Sequence, residues 1–252
     1  MTTNPYDELL VTIPPRQDSA LTGSAFAKQI LNATGTKRED QILVQYMDGN
    51  VPSFMRNLQE VTIQSGSDTA KILCLPDYLC IGSDDDYIRT PMFPGTGQKI
   101  AGLFSCLLPT RKIVNEIWKA SSKFTPTPLS PNSQMISTQA YVDHNKLINN
   151  SMTKLGYQVG QLLGGHKKDV VICRQIPKNK VVIYGWHQSN GVAIQGMNST
   201  SHDSLYVDYS HGFRLICNKF LLNGQPESLA DFLRRDNGKL LSDEGSMVTV
   251  SY

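Results

Sequence analysis

Apolar residues recur at helical spacing in the middle of this chain, and short β-like runs flank that stretch on both sides. Gly97–Phe104 and Pro109–Lys119 read as consecutive helices. In the second, Ile113, Ile117 and Ala120 fall at i, i+4 and i+7, joined by Val114 and Trp118, and Pro109 suits a first helical turn. Ala140–Asn149 is a third helical segment. Before them, Leu9–Pro14, Glu60–Ile63, Ala70–Cys74, Tyr78–Ile81 and Tyr87–Met92 read as short strands. Ser24–Ala33 has a helical look, and Gln41–Met47 alternates weakly. After them come Asp169–Cys173, Lys180–Trp186, Gly191–Gln195 and Leu205–Ile216 as strands, then an amphipathic helix over Glu227–Arg235. Grouped helices between grouped strands argue α+β rather than alternating βαβ. The expectation is one α+β domain over residues 1–252 with a mostly antiparallel sheet, helices concentrated mid-chain and one near the C-terminus. A connector at 124–132, FTPTPLSPN, carries three prolines and reads as an extended strap across that domain.

Composition bounds the partners. A net charge of +2 supplies no electrostatic case for nucleic acid or a lipid surface. No run approaches the ~18 apolar residues of a membrane helix. The first twenty residues hold Asp7, Glu8 and two prolines where an export signal would be apolar, and the five cysteines are odd in number and widely spaced. The expectation is a cytoplasmic protein without disulfides, bound to neither membrane nor nucleic acid, that takes a small-molecule or polymeric substrate.

The chemistry-bearing residues gather late. All five histidines lie between His144 and His211. HDSLYVDYSHGFR, from His202 to Arg214, is the most informative segment. Read as a strand, period 2 places His202, Ser204, Tyr206, Asp208 and Ser210 on one face, and Leu205, Val207, Tyr209, His211 and Phe213 on the other. The first face carries an imidazole, a phenol, a carboxylate and hydroxyls, groups that transfer protons or bind metals. A solvated face with Asp208 capping a loop is the alternative. His211 falls on the apolar face unless Gly212 permits a bulge. In Lys180–His187 the same parity sends His187 with Val181, Ile183 and Gly185, and Trp186 with Val182 and Tyr184. GGHKKD contributes His166, Lys168 and Asp169 at a strand start.

These residues point to a hydrolase of a peptide or glycan polymer. The catalytic set is His187, His202, Asp208, His211 and Asp169, and the substrate-binding set is His166, Lys168, Trp186, Tyr206 and Ser210. The cofactor is unknown; a divalent metal such as zinc is a candidate, although HExxH, HxH and CxxC are absent. Two alternatives stand beside it. One is a non-enzymatic carbohydrate- or peptide-binding module. The other is a papain-like cysteine hydrolase using Cys106, which lies just before a helix but within the apolar string LFSCLL. Asp84–Asp86 reads as a turn, and PGTGQK lacks phosphate-loop spacing.

Overall fold

The computed structural model describes residues 13–130, 134–199, 201–235 and 238–252. Its helices are α1 (Gly23–Gln29), α2 (Gly35–Met47), α3 (Pro94–Leu103), α4 (Arg111–Ala120), α5 (Thr138–Leu155) and α6 (Leu229–Arg234). Hydroxyl side chains mark where four of them begin. Thr22, Thr110, Ser137 and Ser228 accept from the N–H groups of Ala25, Ile113, Ala140 and Asp231, satisfying donors that a first turn leaves free. The cap of α4 is therefore Thr110, one residue beyond the expected Pro109. Ile113, Val114 and Ile117 are buried, while Ala120, expected on the same stripe, is exposed. Gln41–Met47, which alternates weakly in sequence, is the second half of α2. Ile42 and Tyr46, four apart, are its buried face, so period 3.6 wins over a faint period 2.

The strands are β1 (Gln59–Ser65), β2 (Asp68–Cys74), β3 (Cys80–Gly82), β4 (Tyr87–Arg89), β5 (Cys106–Leu107), β6 (Ser122–Lys123), β7 (Leu163–Gly164), β8 (Lys168–Val170), β9 (Ile183–His187), β10 (Ala193–Ser199), β11 (His211–Gly212), β12 (Ile216–Cys217), β13 (Lys219–Leu222) and β14 (Gln225–Ser228). One sheet has the order β14-β13-β2-β12-β5 with β1 also on β2; a second has the order β10-β9-β8-β11. Pairing is antiparallel except for β11 with β8 and β6 with β7. The architecture is thus α+β with mostly antiparallel sheets. Helices α3 to α5 occupy the middle of the chain and α6 lies near its end, while α1 and α2 precede the first strand. One apolar core joins residues from Ile13 to Val250, including Phe26, Ile72, Ile113, Ile183, Phe213 and Phe232. Among the described residues no helix is long and apolar enough to cross a membrane.

Residues 9–12 of the expected first strand lie outside the described residues, as do 131–132 of the connector. Residues 124–130 have no regular secondary structure, and the Leu129 N–H donates to Tyr209 Oη at 2.9 Å.

The expected strand over Leu205–Ile216 is corrected. Only His211–Gly212 and Ile216–Cys217 are strands there. The Tyr206 N–H donates to Asp203 O, and the His211 N–H donates to Asp208 O at 3.2 Å. The Asp208 carboxylate takes Ser210 N–H at 2.7 Å and Ser210 Oγ–H at 2.6 Å. Such local side-chain bonds give the backbone an alternative to a sheet ladder and bend it. Leu205, expected in the core, is 72% exposed, whereas Val207, Asp208 and Ser210 are all buried.

Candidate functional site

Strand β8 sends neighbouring side chains to opposite faces of the second sheet, and each face carries a polar cluster. Lys168 lies on one face, opposite His211 in register and within 5.1 Å of the Trp186 ring. Asp169 lies on the other, where the Tyr78 hydroxyl donates to its Oδ2 at 2.9 Å. Gly212, next to His211, packs its Cα so closely on Tyr78 that a Cβ would sit 2.6 Å from the ring. This alternation is the ordinary parity of a strand.

Strand β9 breaks that parity. Gly185 has φ +95° and Trp186 has φ +53°; the second is an outlier for a bulky residue. The extra twist brings His187 and Tyr184 to the same side, their rings 5.8 Å apart, and turns Trp186 away toward Lys168 and His144. The expected grouping of Tyr184 with Trp186 is therefore wrong. His187 consequently joins Asp169 rather than the residues around Asp208. A Cβ on Gly185 would stand 3.3 Å from His187 Cε1 and 3.4 Å from Asp169 Oδ2, so glycine is the residue that lets the two approach.

The Asp169 face opens into a cleft. A cavity of about 560 Å³ between α4 and β9 is lined by Asn115, Trp118, Tyr184, His187, Asn190 and Gly191 among others. Beneath it, a chamber of about 10 Å³ is lined by Tyr78, Trp118, Gly165, Asp169, His187 and Arg214. That is room for about one water molecule. His187 and Trp118 border both spaces, and their rings stack at 5.2 Å. The Nε1–H of Trp118 is buried without a hydrogen-bond partner among the described residues. Asn115 Oδ1 accepts from Tyr184 Oη at 3.0 Å and from His187 Nε2 at 2.8 Å. A donating Nε2–H leaves Nδ1 of the neutral ring as its basic atom. Arg214 is fully buried, donates to the carbonyls of Leu75 and Leu163, and lies over the Tyr78 ring at 4.6 Å.

Burial drives the titration of both groups, in opposite senses. It raises the Asp169 carboxyl to about 7 against the lowering pull of Arg214 and the Tyr78 hydrogen bond. It lowers the His187 imidazole to about 4. Between those values the carboxyl keeps its proton and the imidazole lacks one.

The other face holds most of the remaining expected residues. His202 stacks on Tyr206 at 3.9 Å, and both are half-buried. Tyr206 Oη donates to Asp208 Oδ2 at 3.3 Å. His211 Nε2 lies 4.0 Å from Asp208 Oδ2, and among the described residues neither of its ring nitrogens has a hydrogen-bond partner. Burial opposes the charge on Asp208, but His211, the Ser210 hydrogen bonds and Lys168 hold its carboxyl below the usual range. His202, Tyr206, Asp208, Ser210 and His211 thus converge through a bend, not along a strand face.

His166 joins neither cluster. Its Nε2 bonds Asp77 Oδ1 at 2.8 Å, and Asp77 pairs with Arg89 at 2.6 Å, all three buried. The His166 ring also packs against Tyr78 and Phe124. This buried network fixes the segment that carries Tyr78. Cys106 sits in β5 opposite Cys217; its thiol is buried, donates to Phe104 O at 3.3 Å and is pushed well above the ordinary thiol range by burial. That is the reverse of the surroundings that activate a cysteine. Among the described residues no group of three or more His, Cys, Asp or Glu side chains is arranged to hold a metal ion. Asp84 and Asp86 cap neighbouring backbone, accepting from Phe54 N–H and Ser24 N–H.

Asn115 and Trp118 in the cleft, and Tyr78 and Arg214 in the chamber, are not among the site residues singled out from sequence. Trp118 reads there as part of a helix's apolar stripe, Tyr78 as the first residue of a short strand, and Arg214 as a residue within the strand over Leu205–Ile216. No family model, curated protein or solved structure matches the chain, so the site is read from its own chemistry.

Proposed function

We propose that the chain is a hydrolase that cleaves a peptide or glycan polymer with His187 as general base and Asp169 as general acid. The observation that carries this reading is the pairing, around a space of one water, of a carboxyl kept protonated to about pH 7 and an imidazole kept neutral above about pH 4. Two titratable groups whose surroundings push their pKa values apart in this sense are a division of acid and base labour. A polymer passes along the cleft of about 560 Å³ with its scissile bond over His187. Nδ1 of His187 takes a proton from water, and the water oxygen attacks the carbonyl or anomeric carbon. Asp169 gives its proton to the departing nitrogen or oxygen. When the target is a carbonyl, the buried guanidinium of Arg214 stabilises the negative charge that develops on its oxygen. The proton on His187 then returns to the Asp169 carboxylate and both groups are reset.

The test begins with a screen of peptide and glycan polymers, reading new amines and new reducing ends. On whichever substrate turns over, His187→Gln and Asp169→Asn should each lower kcat by roughly 10²–10⁴-fold, the usual range for one acid–base group, in variants that still unfold cooperatively. Turnover within a few-fold of wild type in both folded variants would end this reading.

A further inference from the structure

From the polar and ring groups clustered on the opposite face of β8 and β9 we infer a second site, one that binds a neutral sugar. It does not depend on the hydrolase reading, because none of its groups lines the cleft.

Three buried polar atoms there have no hydrogen-bond partner among the described residues: Nδ1 and Nε2 of His211 and Nε1 of Trp186. His211 is 1% exposed and Trp186 is 6% exposed. Unsatisfied buried donors and acceptors cost free energy, and native proteins retain few without a use. Trp186 is in addition held at φ +53°, a strained backbone kept at the one place where the strand turns its indole toward Lys168.

The charges narrow the ligand. Asp208 Oδ2 stands 4.0 Å from His211, so an anion seated on the imidazole would meet a carboxylate. Lys168 lies over Trp186 and also faces Asp208 and His211, so a cation would meet an ammonium. A neutral ligand whose hydroxyls both donate and accept meets all of them: it gives hydrogen bonds to Asp208 and to one nitrogen of His211, and takes them from Trp186, Lys168 and the other nitrogen. Trp186, Tyr206 and His202 supply rings against which the C–H face of a pyranose packs.

The half-exposed stack of His202 on Tyr206 lies 6.4 Å and 6.0 Å from the buried His211 ring, so a ligand would enter there. Only a 3.3 Å hydrogen bond ties the Tyr206 hydroxyl to Asp208. A sugar hydroxyl offered to the same carboxylate oxygen replaces that bond and frees the stack to part.

The chain has two tryptophans, so ¹⁵N-labelled protein shows two indole N–H signals, assigned by comparison with Trp118→Phe. Glucose, galactose, mannose and N-acetylglucosamine are each titrated to saturation or solubility. At least one should move the Trp186 signal saturably and leave that of Trp118 in place, in the wild type and in His187→Gln alike. Asp208→Asn should weaken this binding at least about tenfold, whereas Tyr206→Phe, which removes the competing hydroxyl, should keep or tighten it. If Asp208→Asn does not fold, the half-exposed His202→Ala serves, with weakened binding expected. No movement of the Trp186 signal with any of the sugars overturns the inference. So does an equal movement with glycine or inorganic phosphate, or sugar binding that survives both Asp208→Asn and His202→Ala.

Discussion

Lys168 and Asp169 are neighbours in the chain and meet different chemistry because one strand peptide separates two faces. Asp169 pays for its seat by carrying a proton that the unfolded chain would have lost. Its folded pKa, about 7, lies above the unfolded value near 4, so its stabilising contribution is complete below pH 4 and is lost as pH rises toward 7. Asp169→Asn should therefore change stability little at pH 4 and gain relative to wild type as pH approaches 7, in denaturant titrations across that range. His187 has the reverse sign. Its neutral form is favoured on folding, so its contribution grows between about pH 4 and the unfolded value near 6.5. If the two act together, kcat/KM should fall below about pH 4 and above about pH 7, and Asp169→Asn should abolish the alkaline limb in whatever activity remains. Asp208→Asn is a different substitution. The amide keeps one acceptor for the Ser210 hydrogen bonds but loses the charge, and a cost of roughly 0.5–2 kcal/mol in unfolding free energy is expected from the local turn. Asp208 lies on the face away from the cleft, so turnover should follow the folded fraction. A loss of orders of magnitude in turnover with the fold intact would move the catalytic centre to Asp208 and His211.

At the scale of elements, β9 decides which residues form the cleft. A regular strand would have sent Tyr184 and Trp186 to one side and His187 to the other. The positive φ angles at Gly185 and Trp186 place His187 beside Tyr184 instead. Gly185→Ala tests this arrangement directly. The new methyl would occupy space 3.3–3.4 Å from His187 and Asp169, in a backbone conformation that costs about 1–3 kcal/mol for a residue with a Cβ. Thermal unfolding should report a loss of that size, and turnover should fall by more than the folded fraction accounts for. Helix α4 forms the other wall, held by the Thr110 side chain at its start. Thr110 caps Ile113 N–H and donates to Leu241 O. Thr110→Ala should cost about 1–2 kcal/mol and raise KM more than it lowers kcat, because Asn115 and Trp118 ride on that helix. The hairpin of β13 and β14 turns through Asn223 and Gly224 with φ +50° and +83°. An Asn-Gly pair between apolar runs is a strong local hairpin signal, but it does not enter the sequence expectations, which begin a helix at Glu227, inside β14.

Across the whole molecule, all five cysteines are buried as free thiols, Cys74, Cys80 and Cys106 in the main core and Cys173 in a smaller apolar cluster with Val114, Val171 and Val182. Burial pushes those of Cys74, Cys80 and Cys106 above the ordinary range, which suppresses the reactive thiolate. Thiol titration of the folded protein should be slow at every site, and unfolding in denaturant without reductant should release close to five. Recovery of three or fewer from freshly prepared protein would contradict the structure. The core also reaches the end of the described chain. Tyr252 Oη donates to Val171 O at 2.7 Å and accepts from Val182 N–H at 2.9 Å. Tyr252→Phe removes both bonds beside the strand that leads into β9.

The sequence alone determined the α+β class, the middle helices and many of the strands, because periodicity and turn residues are local properties that survive whatever the chain packs against. It also singled out Asp169, His187, Asp208 and His211, since carboxylates and imidazoles in Gly-rich or polar strings are conspicuous in an apolar chain. Tertiary structure decided which of them meet. The bend at Asp208 arises from its bonds to Ser210, the twist at Trp186 from its place between Lys168 and His144, and the cleft and its chamber from residues far apart in the chain, Asn115 and Trp118 in the one, Tyr78, Trp118 and Arg214 in the other. Parity counting assumes an unbroken strand. Here two positive φ angles and one side-chain turn break it, and they separate the residues into two faces that no pattern along the chain distinguishes.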